Sequence, residues 1–220
     1  MEPEYEKIAA LEADLILDVK SSGEQERYDR LSQIAPTVGV PKGGDAYLAS
    51  VDTQIEMIAA ALGKEDEAEK LLEGGDAKFA EAAETHPEFE GKTITVGAHT
   101  LEGWGAYISE SDRVKFVEKL GFTPNPAIEE MEPDGFSADI SEENLGVLDS
   151  DLLVIFPIYV PAADVTDNEL FQQIPAVQDG RSIVFTDEQE DISLAYSLNS
   201  VLSIPYAIDK VVPLAAEALS

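Results

Sequence analysis

The sequence predicts an α/β protein of two lobes built on one plan, and two observations support this prediction. Apolar strand patterns alternate with helical patterns along the chain, as is typical of α/β domains. A motif that begins at Glu6 returns at Glu143, with an identical Glu, an identical Leu five residues later and an identical Asp-Leu after eight. Residues 31–38 and 170–177 repeat a second pattern in the same order. Two matched segments in one order indicate an internal duplication.

Composition limits the classes of function that the chain can have. A hydrophobic share of 44% in 220 residues is that of a globular protein with one or two cores. The net charge of -31 argues against binding to nucleic acid or to an anionic membrane surface, because both would repel it. Cysteine is absent, so we expect no disulfide framework, thiol catalyst or cysteine–metal site.

The first lobe is predicted within residues 1–41. Its patterns indicate, in order, a helix over 4–12, a strand over 14–18, a helix over 25–34 and a strand over 37–40. Asp14 and its counterpart Asp151 stand at helix-to-strand corners, where an Asp can accept hydrogen bonds from loose backbone N–H groups. We therefore interpret both aspartates as structural.

A helical linker is predicted within residues 42–63. Apolar residues from Leu48 to Leu62 recur at helical spacing over 45–62. Eighteen helical residues span about 27 Å, which is enough to bridge two lobes. A further helix over 64–85 contains the pair Gly74-Gly75, and we expect a kink or break there because each glycine costs about 1 kcal/mol relative to alanine.

The second lobe is predicted over residues 64–220. Strands are expected at 93–97, 151–157 and 182–185, and helices at 111–120, 142–148, 167–173 and 192–218. Ser111 and Ser141 are candidate N-caps, and the last helix is expected to be interrupted near Pro205 and Pro213. The apolar run at 151–157 is typical of a parallel strand covered on both faces.

Several short motifs resemble one family of transport proteins in the order in which they occur. They are Glu6-x-Ile8-x-x-Leu11-x-x-Asp14-Leu15-Ile16, the segment 31–38, Leu62-Gly63-Lys64 with Ala68, Leu120-Gly121-Phe122, Ile140-Ser141-x-Glu143 and Leu202-Ser203-Ile204-Pro205. Together they resemble the ABC-transporter substrate-binding proteins for ferric siderophores, haem and cobalamin. Ala13 stands where that family usually has proline.

The resemblance implies two Rossmann-like lobes joined by one long interlobe helix, with the ligand held between the lobes. It also implies that the first lobe is incomplete, as in an N-terminally truncated chain, because further strands usually precede the Glu6 motif. An extracytoplasmic location, in the periplasm or as a surface lipoprotein, follows from the resemblance. In the family one surface glutamate of each lobe docks on the membrane permease, and Glu6 and Glu143 match those positions.

Ligand contacts are expected in the loops after the strands. The candidates are Lys20, Ser21 and Ser22 in the first lobe, and His99, Trp104, Tyr107 and Tyr159 in the second. Trp104 is the sole tryptophan and lies between two glycines, in a stretch suited to stacking on a large ligand. Local core packing is the alternative for each aromatic residue.

No protein metal site is predicted, because a siderophore brings its own oxygen ligands and the chain has no cluster at ligand spacing. Haem stays an alternative ligand, with His99 or Tyr107 as axial ligand, and cobalamin another. The chain holds only 14 basic residues, which favours a neutral or cationic hydroxamate over an anionic catecholate. The motifs of common enzymes are absent, so we expect no enzyme. A binding-protein-derived lobe without transport function is the remaining alternative.

Overall fold

The computed structural model describes residues 3–220, which form two compact units, Met1–Leu72 and Glu73–Ser220. The first unit contains, in chain order, α1 (Tyr5–Ala9), β1 (Ile16–Leu17), α2 (Gln25–Ser32), β2 (Thr37–Val38) and α3 (Val51–Leu62). β1 and β2 pair in parallel, with Ile16 opposite Thr37. Each predicted helix and strand of this unit is present in a shorter form.

Helix α3 begins six residues later than its apolar spacing predicts. Ala46 and Tyr47 have φ angles of 54° and 65°, which a right-handed helix excludes. Their N–H groups instead donate to the carbonyl oxygens of Ser22 and Ser21 at 3.0 Å. The helix starts after Ser50, whose hydroxyl accepts from the Thr53 N–H, and ends at Gly63 in the left-handed conformation.

Helix α4 (Glu65–Thr85) runs through Gly74 and Gly75 without interruption, so the predicted break is wrong. The boundary between the two units, which falls after Leu72, lies within this helix. A penalty of about 1 kcal/mol per glycine is small beside the burial of neighbouring side chains. Phe79, which is 3% exposed and packs edge-on against Phe116, is one such side chain.

The second unit is a mixed α/β domain. Its strands are β3 (Thr93–Thr100), β4 (Gly103–Tyr107), β5 (Thr123–Pro124), β6 (Ser137–Ile140), β7 (Leu152–Pro157) and β8 (Ser182–Val184). Its α-helices after α4 are α5 (Asp112–Glu118), α6 (Pro126–Glu129), α7 (Ala162–Thr166), α8 (Pro175–Gln178), α9 (Glu190–Leu198) and α10 (Ile204–Ala218). Short 3₁₀ segments cover Pro87–Phe89, Glu142–Leu148, Phe171–Gln173 and Asp187–Gln189.

The sheet order is β6-β4-β3-β7-β8, with β5 beside the start of β3. β7 is parallel to β3 and β8, as the buried apolar run predicted, whereas β4 and β6 are antiparallel and were not predicted. The sequence hides β4 because glycine is depleted in strands and two of its five residues, Gly103 and Gly105, are glycines.

The helix termini confirm some expectations and correct others. Ser111 caps α5 by accepting from the Arg113 N–H, as predicted, but Ser141 makes no side-chain cap. Helices α9 and α10 are separated by residues 199–203, and α10 continues through Pro213 without the expected interruption. Proline in a helix removes one hydrogen bond, and the buried face of α10, which includes Val211 and Val212, holds the helix together on both sides.

Candidate functional site

Three of the predicted ligand residues of the second unit, His99, Trp104 and Tyr107, lie on the hairpin formed by β3 and β4. The antiparallel register places Ala98 opposite Gly105, His99 opposite Trp104 and Thr100 opposite Gly103. Because side chains alternate between the faces of a sheet, Trp104 lies on one face, and Gly103 and Gly105 lie on the other. The two faces of this hairpin therefore have different environments.

The tryptophan face is part of the core. Trp104 is 6% exposed, and its ring stacks between His99 at 4.2 Å and Phe171 at 5.5 Å. A buried cluster that includes Leu148 and Ile155 surrounds it. His99 is half-buried, and its Nδ1 has no hydrogen-bond partner among residues 3–220. Trp104 therefore packs in the core, the alternative that the sequence left open, and it also belongs to the lining of the cavity described next. His99 lies on strand β3 and stacks on Trp104, and its role as a ligand contact stays a prediction.

The glycine face bounds a cavity of about 630 Å³, which we call the hairpin cavity. Its lining includes Ala98, Gly103, Gly105, Tyr107, Phe136 and Asp139. The floor is open because the glycines carry no side chain there. The Tyr107 and Phe136 rings, stacked with centroids 6.0 Å apart, form an aromatic wall. Sequence reasoning found Tyr107 but missed Phe136 and Asp139, which lie on the unpredicted β6 or beside it.

Tyr107 lies against a cation. The Arg113 guanidinium is 4.6 Å from the centroid of the Tyr107 ring, a cation–π distance. Burial raises the pKa of the Tyr107 hydroxyl, with Arg113 opposing that shift, so the group stays protonated at neutral pH. A neutral phenol on this wall can donate a hydrogen bond to a ligand.

The strand that the apolar run predicted, β7, ends near the same region. Ile158, just beyond β7, lines the hairpin cavity. The next residue, Tyr159, is 85% exposed and has a φ of 59°. A non-glycine residue in the left-handed region is uncommon, and here it turns the aromatic side chain towards solvent.

In the first unit, hydrogen bonds within the loop and to helix α2 hold the segment that contains the predicted ligand residues Lys20, Ser21 and Ser22. Ser21 is 1% exposed and its hydroxyl donates to Asp18, which also accepts a bidentate pair from Arg27. The hydrogen bond to Asp18 raises the pKa of Arg27. Ser21 therefore supports the loop, whereas Ser22 lines a separate cavity of about 590 Å³.

This first-unit cavity has an aromatic lining of mixed charge, of which sequence reasoning assigned only Ser22. Tyr5 and Tyr47 supply the rings, and Arg27 and Arg30 lie in the same lining as Glu24 and Glu26. The Arg30 guanidinium lies 3.6 Å from the Tyr5 ring centroid. A signal was available, because Arg27 and Arg30 are three residues apart and so share one face of α2. Lys20, the remaining predicted ligand residue of the first lobe, is half-buried and is not part of this lining.

Glu6 and Glu143 are both exposed, each in the first turn of its short helix, α1 and the 3₁₀ segment Glu142–Leu148. Negative charge is favoured at that end of a helix. Among residues 3–220 no group of His, Cys, Asp and Glu is arranged to hold a metal ion. In the same part of the chain, no helix has the length and apolar character to cross a bilayer.

A family model described as "Periplasmic binding protein" matches residues 1–189. The chain therefore belongs to the periplasmic binding protein family, which consists of substrate-binding proteins and not enzymes, so the expectation of no enzyme is confirmed. The α/β fold class is confirmed as well.

Two curated relatives from Bacillus subtilis are similar to the chain. It is 23% identical over 188 residues, or 83% of the chain, to the petrobactin-binding protein YclQ. It is 38% identical over 80 residues, or 36% of the chain, to the putative ABC transporter substrate-binding lipoprotein YhfQ. The chain spans 58% of YclQ and 24% of YhfQ.

Solved structures share the fold. One is the iron-uptake binding protein PiaA of Streptococcus pneumoniae in complex with ferrichrome, with a TM-score of 0.80 and 26% identity. The superposition covers 99% of this chain and 73% of the PiaA chain. Another is FhuD2 of Staphylococcus aureus with bound ferrioxamine B, with a TM-score of 0.78 and 16% identity. This superposition covers 100% of this chain and 82% of the FhuD2 chain. The latter likeness supports the fold alone.

Proposed function

We propose that the chain is the solute-binding component of an ABC importer, which captures a ferric siderophore between its lobes and delivers it to a membrane permease. The observation that carries the proposal is membership of a binding-protein family together with an open, aromatic-walled cavity on the second unit. PiaA with ferrichrome and the petrobactin-binding YclQ supply the ligand class. Binding sites of this kind are concave, aromatic and largely pre-formed.

The siderophore supplies the iron ligands in this proposal, so the protein needs no metal ligand of its own and no resident cofactor. Ser22, Lys20, Tyr107 and Tyr159 are proposed to contact the chelate directly. Ser21, His99 and Trp104 support those contacts from within the packed structure, since each is buried or stacked on a neighbour.

Glu6 and Glu143 are proposed to dock on basic residues of the permease, one from each lobe. Both are exposed, and the repeat places them at matching positions. Paired charges fix orientation and speed encounter more than they add affinity. We also propose an extracytoplasmic location, which agrees with the family description and with the lipoprotein YhfQ.

The proposal is tested by quenching of the single Trp104 with ferrichrome, ferrioxamine B, a ferric tris-catecholate, haem and cobalamin. We expect saturable quenching by a ferric siderophore at micromolar or lower concentration. Binding of haem or cobalamin alone would replace the siderophore with the alternative ligand. If none of the five ligands binds to the protein, the proposed binding function is wrong.

A further inference from the structure

The hairpin cavity contains a glycine that neither the backbone nor the packing requires. Gly103 has a φ of 124°, so its backbone demands glycine, and a Cβ on Gly97 would lie 2.8 Å from the Gly105 carbonyl oxygen. Gly105 has neither constraint. A Cβ there would lie 3.4 Å from the Ala138 carbonyl oxygen and would otherwise enter open space.

Glycine inside a strand weakens the strand, and it often marks a place where a ligand approaches the backbone closely. Gly105 faces the cavity beside Ala98, its partner across the hairpin, and Asp139, its partner on β6. The strand thus leaves a side-chain-sized space at the centre of the floor. Closing that space would need only a methyl group or a larger side chain at Gly105.

The Tyr107 hydroxyl supplies a hydrogen-bond donor to the wall of the cavity. The side chain is 6% exposed and lines the cavity. Its hydroxyl is not one of the buried unpaired polar atoms of residues 3–220, so the oxygen is accessible from the cavity. A ligand oxygen in the cavity would accept the hydrogen bond that this phenol has available.

The charge of the cavity lining limits the chemical class of the ligand. Glu102 and Asp139 belong to the lining, which includes no Lys, Arg or His among the described residues. The nearby Arg113 lies over the Tyr107 ring and is not part of the lining. Carboxylates attract N–H donors and positive charge and repel anions.

We propose that the hairpin cavity is a subsite for one flat arm of the chelate, an arm that carries amide or ammonium N–H groups and no negative charge. Gly105 sets the size limit of this arm, Tyr107 donates to one of its oxygens, and Asp139 accepts from its N–H groups. The inference rests on the proposed function and adds to it the chemistry of one half of the ligand site.

Substitutions on the cavity floor test the size limit. Gly105→Ala and Gly105→Val are compared with Gly74→Ala and Gly74→Val, since Gly74 lies on the exposed part of α4 and is free of neighbours. We expect ferrichrome affinity to fall about threefold for Gly105→Ala and at least about tenfold for Gly105→Val. The Gly74 variants should bind as the wild type does. Circular dichroism establishes that each variant is folded, and Gly105→Ala keeps the test usable if the valine variant does not fold.

Two further variants test the chemistry. Tyr107→Phe should weaken ferrichrome about fivefold, whereas Tyr206→Phe, on the exposed side of α10, should not. Asp139→Asn should weaken cationic ferrioxamine B about fivefold and change neutral ferrichrome by less than about twofold. Asp164→Asn, at an exposed position of α7, is the matched control. If the Gly105→Val and Tyr107→Phe variants both bind ferrichrome as tightly as the wild type does, the proposed subsite is wrong but the binding function stands. If the wild type itself binds no ligand, both proposals are wrong.

Discussion

Leu11 and Leu148 occupy the same position in two copies of one motif, but Leu11 is 75% exposed and Leu148 is fully buried. The preceding apolar residues differ in the same direction, since Ile8 is half-buried and Leu145 is 1% exposed. The strands that follow also differ. β1 has two residues and pairs with β2, whereas β7 has six and lies between β3 and β8. The motif specifies a helix followed by a strand, and the neighbouring strands specify how much of it is buried.

The aspartates of the two copies show the same contrast. Asp151 accepts hydrogen bonds from the Thr93 N–H at 2.8 Å and the Thr93 hydroxyl at 2.9 Å, so it joins the starts of β7 and β3. Asp14 is exposed and makes no such bond within residues 3–220. The structural role predicted for both aspartates is therefore present at Asp151 only.

The largest expected effect comes from a feature that is exposed in both copies, their glutamates Glu6 and Glu143. Glu6→Ala with Glu143→Ala should abolish siderophore uptake by cells while ligand affinity stays within about twofold, because the acids act in docking. Glu56→Ala with Glu169→Ala removes the same charge elsewhere and should leave uptake normal. Normal uptake by the Glu6/Glu143 double variant would end the docking proposal.

The buried leucines give the next effect. Leu148→Ala should lower the free energy of unfolding by about 3 kcal/mol, because it leaves a cavity in the packed cluster. Leu11→Ala should change it by less than about 0.5 kcal/mol, as for other exposed positions. Urea unfolding followed by circular dichroism measures both, and equal losses would contradict the contrast in burial.

A smaller effect is expected at the corner aspartates. Asp151→Ala should cost about 1 kcal/mol, since the Thr93 N–H loses its acceptor at a partly exposed site. Asp14→Ala should cost nothing measurable by the same unfolding experiment. A cost at Asp14 equal to that at Asp151 would restore the symmetry that the sequence suggested.

The last prediction concerns pH. The hydrogen bond from the Thr93 backbone, together with that of its hydroxyl and the charge of Lys92, lowers the pKa of Asp151 below its ordinary value of 3.8. A lowered pKa in the folded state contributes stability that is present above the ordinary pKa and is lost as the pH falls through the folded pKa. The stability difference between wild type and Asp151→Ala should therefore be constant from pH 7 to pH 5 and shrink below about pH 3.8. A difference that grows on acidification would contradict this sign.

Much of the fold could be predicted because its signals are local. The buried run of β7, the Ser111 cap and the break before α10 each depend on a few adjacent residues. The start of α3 could not be predicted from spacing, since the positive φ angles of Ala46 and Tyr47 come from hydrogen bonds to a distant loop. The sequence predicts a ligand-facing loop at Trp104, whereas the structure has strand β4 there, because the glycines on either side conceal the strand pattern.

The sequence by itself determined the α/β class, the duplication, the acidic surface and the family, because alternation, repetition and charge are properties of the chain order. Only the tertiary structure decided which copy of the motif is buried and which face of the β3–β4 hairpin is open. Those outcomes depend on pairing between segments far apart in the chain. β6, for example, brings Asp139 beside Gly105 across more than thirty residues of sequence. A repeated motif can fix the same local path twice, but burial depends on the strands that pack around each copy.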